Sequence, residues 1–388
     1  MNVALLGLGT VGKAVFKILE EQNVSIFKEH EINVKYVLVR NVENKNIDKS
    51  LLTTDYEAIL EDKDVDVVIE MMGARVSYDY IKRALEARKH VITANKEVIA
   101  EHYVELQKIA KEKKVELLFE AAVGGGIPIV HTLLNSTSFN HINRIDGILN
   151  GTTNYILTCM HNEKISFEEA LRLAQEKGFA EADPTADLEG LDMVRKIAIL
   201  SMICYESEIN LDNVYHSGIK NVDKELIEVV ELLGYRLKFI ASSSFDGDGV
   251  NLFVEPVILK ASDLLANVDY EYNIVRYSGD GCASQMMYGK GAGPVTANSI
   301  VFDLGLLLSG YKQDFIPDNK YRCNGNKNVF SRYLIKSQYI DASLIEKNLG
   351  NVYITKPISS SKIDELREDI IFYARIDDWQ NCYYCLLS

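Results

Sequence analysis

Three clusters carry residue types and spacings that could do chemistry. The first is Gly7-Leu8-Gly9-Thr10-Val11-Gly12, between a β-rich run from Val3 and an amphipathic stretch reaching Glu21. There, one glycine permits a tight turn, one lets the backbone approach a pyrophosphate and one brings helix close to strand, with phosphate at the helix N-terminus. A dinucleotide site is expected. The second strand ends in Arg40-Asn41, where an acid would grip the ribose 2′-hydroxyl of NAD; a guanidinium there suits the 2′-phosphate of NADP, with NAD the alternative. The second cluster runs from Gly178 to Asp192 and on to Lys196, with Glu181, Asp183, Asp187, Glu189 and Asp192 crowded into one loop and helix start. Asp192 and Lys196, at i and i+4, share a helical face. Such carboxylates suit a small cationic group, or else an N-cap at Asp187 and a surface ion pair at 192/196. The third, Gly124-Gly125-Gly126-Ile127-Pro128, reads as a turn.

Positioning these clusters requires an alternation of strands and helices. Val3–Leu6, Val34–Val39, Asp66–Glu70, His90–Thr93 and Val115–Phe119 read as strands, and Val11–Glu21, Tyr78–Ala87 and Glu97–Lys111 as helices, the pattern of a parallel sheet covered on both faces. After Gly124 the texture becomes α+β: a strand ending in Asn150-Gly151, helices over Phe167–Lys177 and Gly190–Tyr205, then long strands Leu237–Ser243 and Val250–Leu259 around a Gly/Asp turn. The expected class is α/β: a Rossmann-type nucleotide-binding domain over 1–125 and an α+β catalytic and dimerisation domain over 126–318, with helix 295–308 packing back on the first domain. In the tail, 329–388, the reading is strand 331–337, helix 342–349, strand 351–355 and strand 369–376, with no fourth strand.

The 388 residues suffice for two or three cored domains, and a formal net charge of −14 argues against nucleic acid or an anionic membrane as partner. No run approaches a membrane span, and the N-terminus enters a strand pattern without a signal-peptide signature, so a cytoplasmic protein is expected. The six cysteines are too scattered for a disulfide framework; Cys382-Tyr383-Tyr384-Cys385 has CxxC spacing but no second pair or nearby histidine, and reads as ordinary thiols.

Over roughly residues 1–315 the chain resembles homoserine dehydrogenases, through GLGTVG at 7–12, TANK at 93–96, EAAVGGGIP at 120–128, GILNGTTNY at 147–155, the 178–196 segment and GKGAG at 289–293. The resemblance implies interconversion of L-aspartate 4-semialdehyde and L-homoserine with NAD(P)H, in threonine and methionine biosynthesis, by a homodimer. It implies that Lys196 transfers the proton, with Lys96 facing it, and that Glu181, Asp192, Asp187 and Thr153 border the substrate. It places Gly7, Gly9, Thr10, Val11, Gly12, Arg40, Thr93, Lys96, Gly178, Gly289 and Gly291 at the cofactor. A monovalent cation, sodium in type, would sit at Glu120, Val123, Gly125 and Ile127. The chemistry is coherent: hydride reaching an aldehyde carbon develops negative charge on oxygen, which a lysine can both neutralise and protonate.

Three departures from the family pattern stand out. Phe179 occupies a position commonly tyrosine; Gly293 is followed at once by Pro294-Val295-Thr296-Ala297, one residue short; and the tail resembles an ACT regulatory fold lacking its last strand. The unpaired edge this would leave predicts weak or absent threonine inhibition through the tail. The alternatives are another NAD(P)-dependent oxidoreductase of a small amino-acid aldehyde, which would need a cysteine nucleophile paired with a histidine whereas Cys159 and His161, at i and i+2 on a helix pattern, would not face each other, or a catalytically dead nucleotide-sensing relative, against which Lys96, Lys196, Glu181 and Asp192 stand intact.

Overall fold

The computed structural model describes residues 1–377 except 44–46, 74–75, 248, 320 and 322–328; the CxxC at 382–385 lies outside the described residues. The chain forms two compact units, Met1–His141 with Ile199–Ile209 and Gly289–Lys320, and Ile142–Ala198 with Asn210–Tyr288 and Tyr321–Ser388.

The first unit is built on a six-stranded sheet of β1 (Asn2–Leu6), β2 (Asn33–Leu38), β3 (Leu52–Thr53), β4 (Val67–Glu70), β5 (His90–Thr93) and β6 (Leu117–Leu118), ordered β3-β2-β1-β4-β5-β6. Every pairing is parallel, the doubly wound order whose reversal beside β1 opens a crevice at the strands' carboxyl ends. The central strands read as unbroken apolar runs because helices cover both faces. The helix Thr10–Glu21 buries Gly12, Val15, Phe16 and Leu19, a single stripe at helical spacing, and stops at Gln22 in the left-handed conformation. The late helix Thr296–Leu308 joins the same core through Ala297, Ile300, Leu304 and Leu307.

The second unit holds a mixed sheet. Its strands are β7 (Ile142–Ile148), β9 (Tyr235–Phe245), β10 (Val250–Lys260), β11 (Tyr272–Gly279), β12 (Ala283–Lys290), β14 (Tyr333–Ser337), β15 (Ile345–Asn348), β16 (Val352–Thr355) and β18 (Ile370–Ile376), in the order β12-β11-β7-β9-β10-β18-β14-β16-β15. The short β8 (Tyr215–His216) also pairs with β10, and β13 (Phe330–Ser331) pairs with β17 (Ile358–Ser359). At the β12 edge the strand is exposed or half-buried along its length, Met286 and Tyr288 included.

The tail differs from the sequence reading. The stretch expected as a helix at 342–349 is a 3₁₀ turn, Ala342–Leu344, followed by strand β15, and a helix expected nowhere covers Ser360–Glu365. The segment Leu344-Ile345-Glu346-Lys347-Asn348 has helix-forming residues, but edge pairing with β16 overrides that local preference. Four of the described tail strands, β14, β15, β16 and β18, therefore join the mixed sheet in the order β18-β14-β16-β15, and β18 pairs in parallel with β10. On the tail side the sheet ends at β15, whose partner among the described residues is β16, and the stretch from 378 onward, where the sequence reading finds no fourth strand, lies outside the described residues.

Candidate functional site

At the carboxyl end of β1 each glycine of the first cluster has a distinct physical task. Gly7 has φ +100°, and a Cβ there would lie 3.2 Å from the Met71 carbonyl. A Cβ on Gly12 would come within 2.4 Å of the Gly7 carbonyl, so helix and turn meet only because both residues lack side chains. Gly9, the N-cap of helix Thr10–Glu21, faces open space, the face a ligand's phosphates can approach. Thr10 and the half-buried Val11 form the first turn above it. Arg40 stands exposed two residues beyond β2.

The 93–96 turn is fixed by a buried carboxylate. Glu70 accepts from the Met72 amide, Ser77 Oγ and Thr93 Oγ1 at 2.7, 2.8 and 2.6 Å. Thr93 Oγ1 in turn accepts from the Asn95 amide, and the Asn95 side chain caps the helix Lys96–Lys113 through the Val98 amide. The Thr93 hydroxyl is thus spent on building the turn. Lys96 sits at the first helical position, where the helix dipole disfavours a cation.

Glu120 is fully buried and accepts from the Val130 and His131 amides at the start of helix Ile129–Ser136, while Asp303 bridges the Glu120 amide and His131 Nε2. Burial pushes the Glu120 carboxyl up to about 7. Gly124 and Gly125 are both left-handed, and a Cβ on Gly125 would strike the Gly291 backbone at 2.3 Å. The side chain of Ile127 lies beside Gly289. Of the carbonyls in the adjoining turn, that of Gly125 already accepts from Ser299 Oγ at 2.5 Å and that of Ile127 from the Ile129 amide at 2.8 Å, so a cation expected here from the sequence would have to displace those donors.

The second cluster closes into a hydrogen-bonded group within the second unit. Lys196, on helix Leu191–Tyr205, donates through Nζ to Asp192 Oδ2 at 2.8 Å and to the Leu149 carbonyl at 2.6 Å. Asn150 Nδ2 donates to Asp187 Oδ1 and Asp192 Oδ2, both at 2.8 Å. The lysine and Asp192 side chains are 12% and 9% exposed, so the expected surface ion pair is largely buried. Nor is Asp187 an N-cap; it lies within the short helix Thr185–Leu188, and burial together with Asp192 raises its carboxyl pKa. Thr153, one turn into the helix Gly151–Asn162, bonds to Asn150 through both its amide and hydroxyl. Gly178 and Glu181 are on the adjoining exposed loop, and among the described residues no hydrogen bond ties the Glu181 carboxylate to this cluster. Sequence reasoning assigns Asn150 no role; its signal is an asparagine immediately before a Gly-Thr-Thr helix start.

A Cys–His nucleophile is not formed. Burial pushes the Cys159 thiol up to about 11, and His161 is committed to Glu231 and to the Leu237 amide.

A doubly wound parallel sheet with an intact glycine turn, in a chain that also carries a buried lysine–carboxylate cluster, defines a nicotinamide-dinucleotide oxidoreductase. Family models described as "Homoserine dehydrogenase, NAD binding domain" and "Homoserine dehydrogenase" match residues 7–120 and 128–304. The homoserine dehydrogenase of Bacillus subtilis is 36% identical over 392 residues, covering 96% of this chain and 90% of that protein. That of Synechocystis is 40% identical over 313 residues, 78% of this chain and 72% of the relative. A crystal structure of a homoserine dehydrogenase from Thiobacillus denitrificans superposes with TM-score 0.88 at 29% identity, covering 97% of this chain and 98% of that one. A hyperthermophilic archaeal homoserine dehydrogenase in complex with NADPH gives TM-score 0.70 at 25% identity, covering 80% of this chain and 98% of its own. The chain belongs to the homoserine dehydrogenase family. It is an NAD(P)-dependent oxidoreductase of amino-acid biosynthesis that interconverts L-homoserine and L-aspartate 4-semialdehyde. Among the described residues no helix is long and apolar enough to cross a membrane.

Proposed function

We propose that Lys196 is the proton-transferring group of this reaction and that NADP is the preferred dinucleotide. What carries the first part is the Lys196 ammonium itself: two of its three N–H donors are held by Leu149 and Asp192, leaving the third for the substrate oxygen. The dinucleotide supplies or accepts the hydride. In aldehyde reduction Lys196 Nζ neutralises the developing alkoxide and gives it a proton; in the reverse direction it takes the proton from the hydroxyl. Asp192, Asp187 and Glu181 face the substrate's ammonium group, with Thr153 at the border, and Lys96 adds the second cationic group of the reaction.

The cofactor rests on Gly7, Gly9, Thr10, Val11 and Gly12, on Thr93 and Lys96, and on Gly178, Gly289 and Gly291, with Arg40 at the 2′-phosphate. A sodium-type cation held by Glu120, Val123, Gly125 and Ile127 would neutralise the buried carboxylate and stiffen the glycine turn. As functional segments, residues 1–125 bind the dinucleotide, 126–318 carry catalysis and dimerisation, and 329–388 form an ACT-like tail, a reading supported by its strand order. The exposed β12 edge supports a homodimer, and we place the enzyme in the cytoplasm, serving threonine and methionine synthesis.

The test is Lys196→Ala, assayed with L-homoserine and NADP. We expect kcat to fall by roughly 10²–10⁴-fold with little change in cofactor affinity. Near-normal turnover in a folded variant would overturn the assignment.

A further inference from the structure

We infer that Asn150 is a positioning residue of the reaction: its side-chain amide yokes Asp187 and Asp192 into one acceptor pair and thereby aims Lys196 at the substrate. The inference rests on the reading of Lys196 and Asp192 as reaction machinery. Asn150 is buried between β7 and the helix Gly151–Asn162, and every polar valence of its side chain is used. The oxygen accepts from the Thr153 amide at 2.9 Å and from Thr153 Oγ1 at 3.0 Å, capping the helix. The nitrogen has two hydrogens and spends one on each carboxylate.

Only an amide can do both tasks at once. Aspartate or serine at this point would still cap the helix, since both rank with asparagine as N-caps, but neither has two donors. Asp192 is buried and Asp187 half-buried, and two carboxylates that repel each other are held together by the donors between them, while on its far side Asp192 accepts from Lys196 Nζ. The residue before Asn150 contributes its carbonyl to Lys196, so one short stretch of backbone, Leu149-Asn150, orients both the lysine and its counter-ion. Loss of the yoke frees Asp187 and Asp192 to separate or to share a proton, and Asp192 then ceases to fix Lys196.

Two variants separate capping from yoking. Asn150→Asp is nearly isosteric and keeps the cap while placing a third carboxylate beside Asp187, Asp192 and Lys196; Asn150→Ser keeps the cap without adding charge. For both we expect a folded enzyme, Asn150→Asp melting lower than Asn150→Ser because of the added like charge, with KM for L-homoserine raised about tenfold or more and KM for NADP within about twofold. In Asn150→Asp the acid limb of kcat/KM should also move up by about one pH unit, because one of three crowded carboxylates retains a proton, while in Asn150→Ser the limb moves less. Kinetics within about twofold of the parent across the pH range, in either folded variant, would overturn the inference. If Lys196→Ala abolishes turnover while both Asn150 variants remain normal, the role of Asn150 fails alone; if Lys196→Ala is also normal, the site assignment fails with it.

Discussion

Arg40 and Lys238 illustrate how a single side chain's surroundings set what it can be asked to do. Arg40 is exposed at the end of β2, so its guanidinium is available to a charged group arriving from solution. Replacing it with alanine should weaken NADP by the ~1.5–3 kcal/mol typical of a charge-assisted hydrogen bond while leaving NAD nearly unaffected; the ratio of the two kcat/KM values measures it. Lys238 is buried in β9 and bonds to the Val268 carbonyl, Asn154 Oδ1 and Asp269 Oδ1. Burial lowers its pKa from the ordinary 10.5 to about 8, against the opposing pull of Asp269. Between those two pH values the unfolded chain keeps a proton that the folded chain has released, so stability rises with pH across pH 8–10.5, by at most about 3 kcal/mol. Urea unfolding at pH 8 and pH 10 should show the rise in the parent and lose it in Lys238→Met.

At the scale of elements, the glycine turn separates folding from binding. In Gly12→Ala the new methyl collides with the Gly7 carbonyl, so the helix Thr10–Glu21 must move off β1, and we expect a stability loss of about 1–3 kcal/mol alongside weaker dinucleotide binding. Gly9→Ala meets nothing within 4 Å; its stability should stay within about 0.5 kcal/mol of the parent while dinucleotide affinity falls. Chemical unfolding and a fluorescence titration with NADPH distinguish the two. Elements of this kind were legible in the sequence because their signals are local: the glycine spacing, the apolar strands of the parallel sheet and the stripe of Val15, Phe16 and Leu19 each specify themselves within a dozen residues. The residues 342–349 were misread for the converse reason, since an exposed edge strand is defined by its partner β16 and carries little pattern of its own. The Asn150 yoke was also beyond sequence reasoning: Asp187 and Asp192 come to it from a distant segment, and only folding reveals that one amide serves both.

For the whole second unit, the tail is part of the sheet rather than an appendage. Arg375 of β18 bonds Glu255 of β10, lies 3.9 Å from the Phe253 ring centroid and reaches Ser331. Deleting residues 329–388 would take away the arginine bonded to Glu255 and the strand paired with β10, leaving that edge of the sheet and its apolar residues open to solvent. We expect the shortened chain to aggregate or to melt far below the parent, as read by size-exclusion chromatography and calorimetry. A monomeric, stable and active product would show the tail to be separable.

The parallel pairing of β10 with β18 also sets a schedule for synthesis. Val257 and Ile258 wait for Arg375 and Ile376, more than a hundred residues further along the chain. At ~5–20 residues per second the ribosome needs on the order of ten seconds to deliver that partner, long after β9 and β10 can close their own hairpin. During that interval half of the edge of β10 is open and Glu255 lacks Arg375, so the nascent chain passes through a stage with an open edge that the finished sheet closes. Faster elongation through residues 260–376, or a holdase present over that stretch, should therefore raise the yield of native enzyme without altering its final stability.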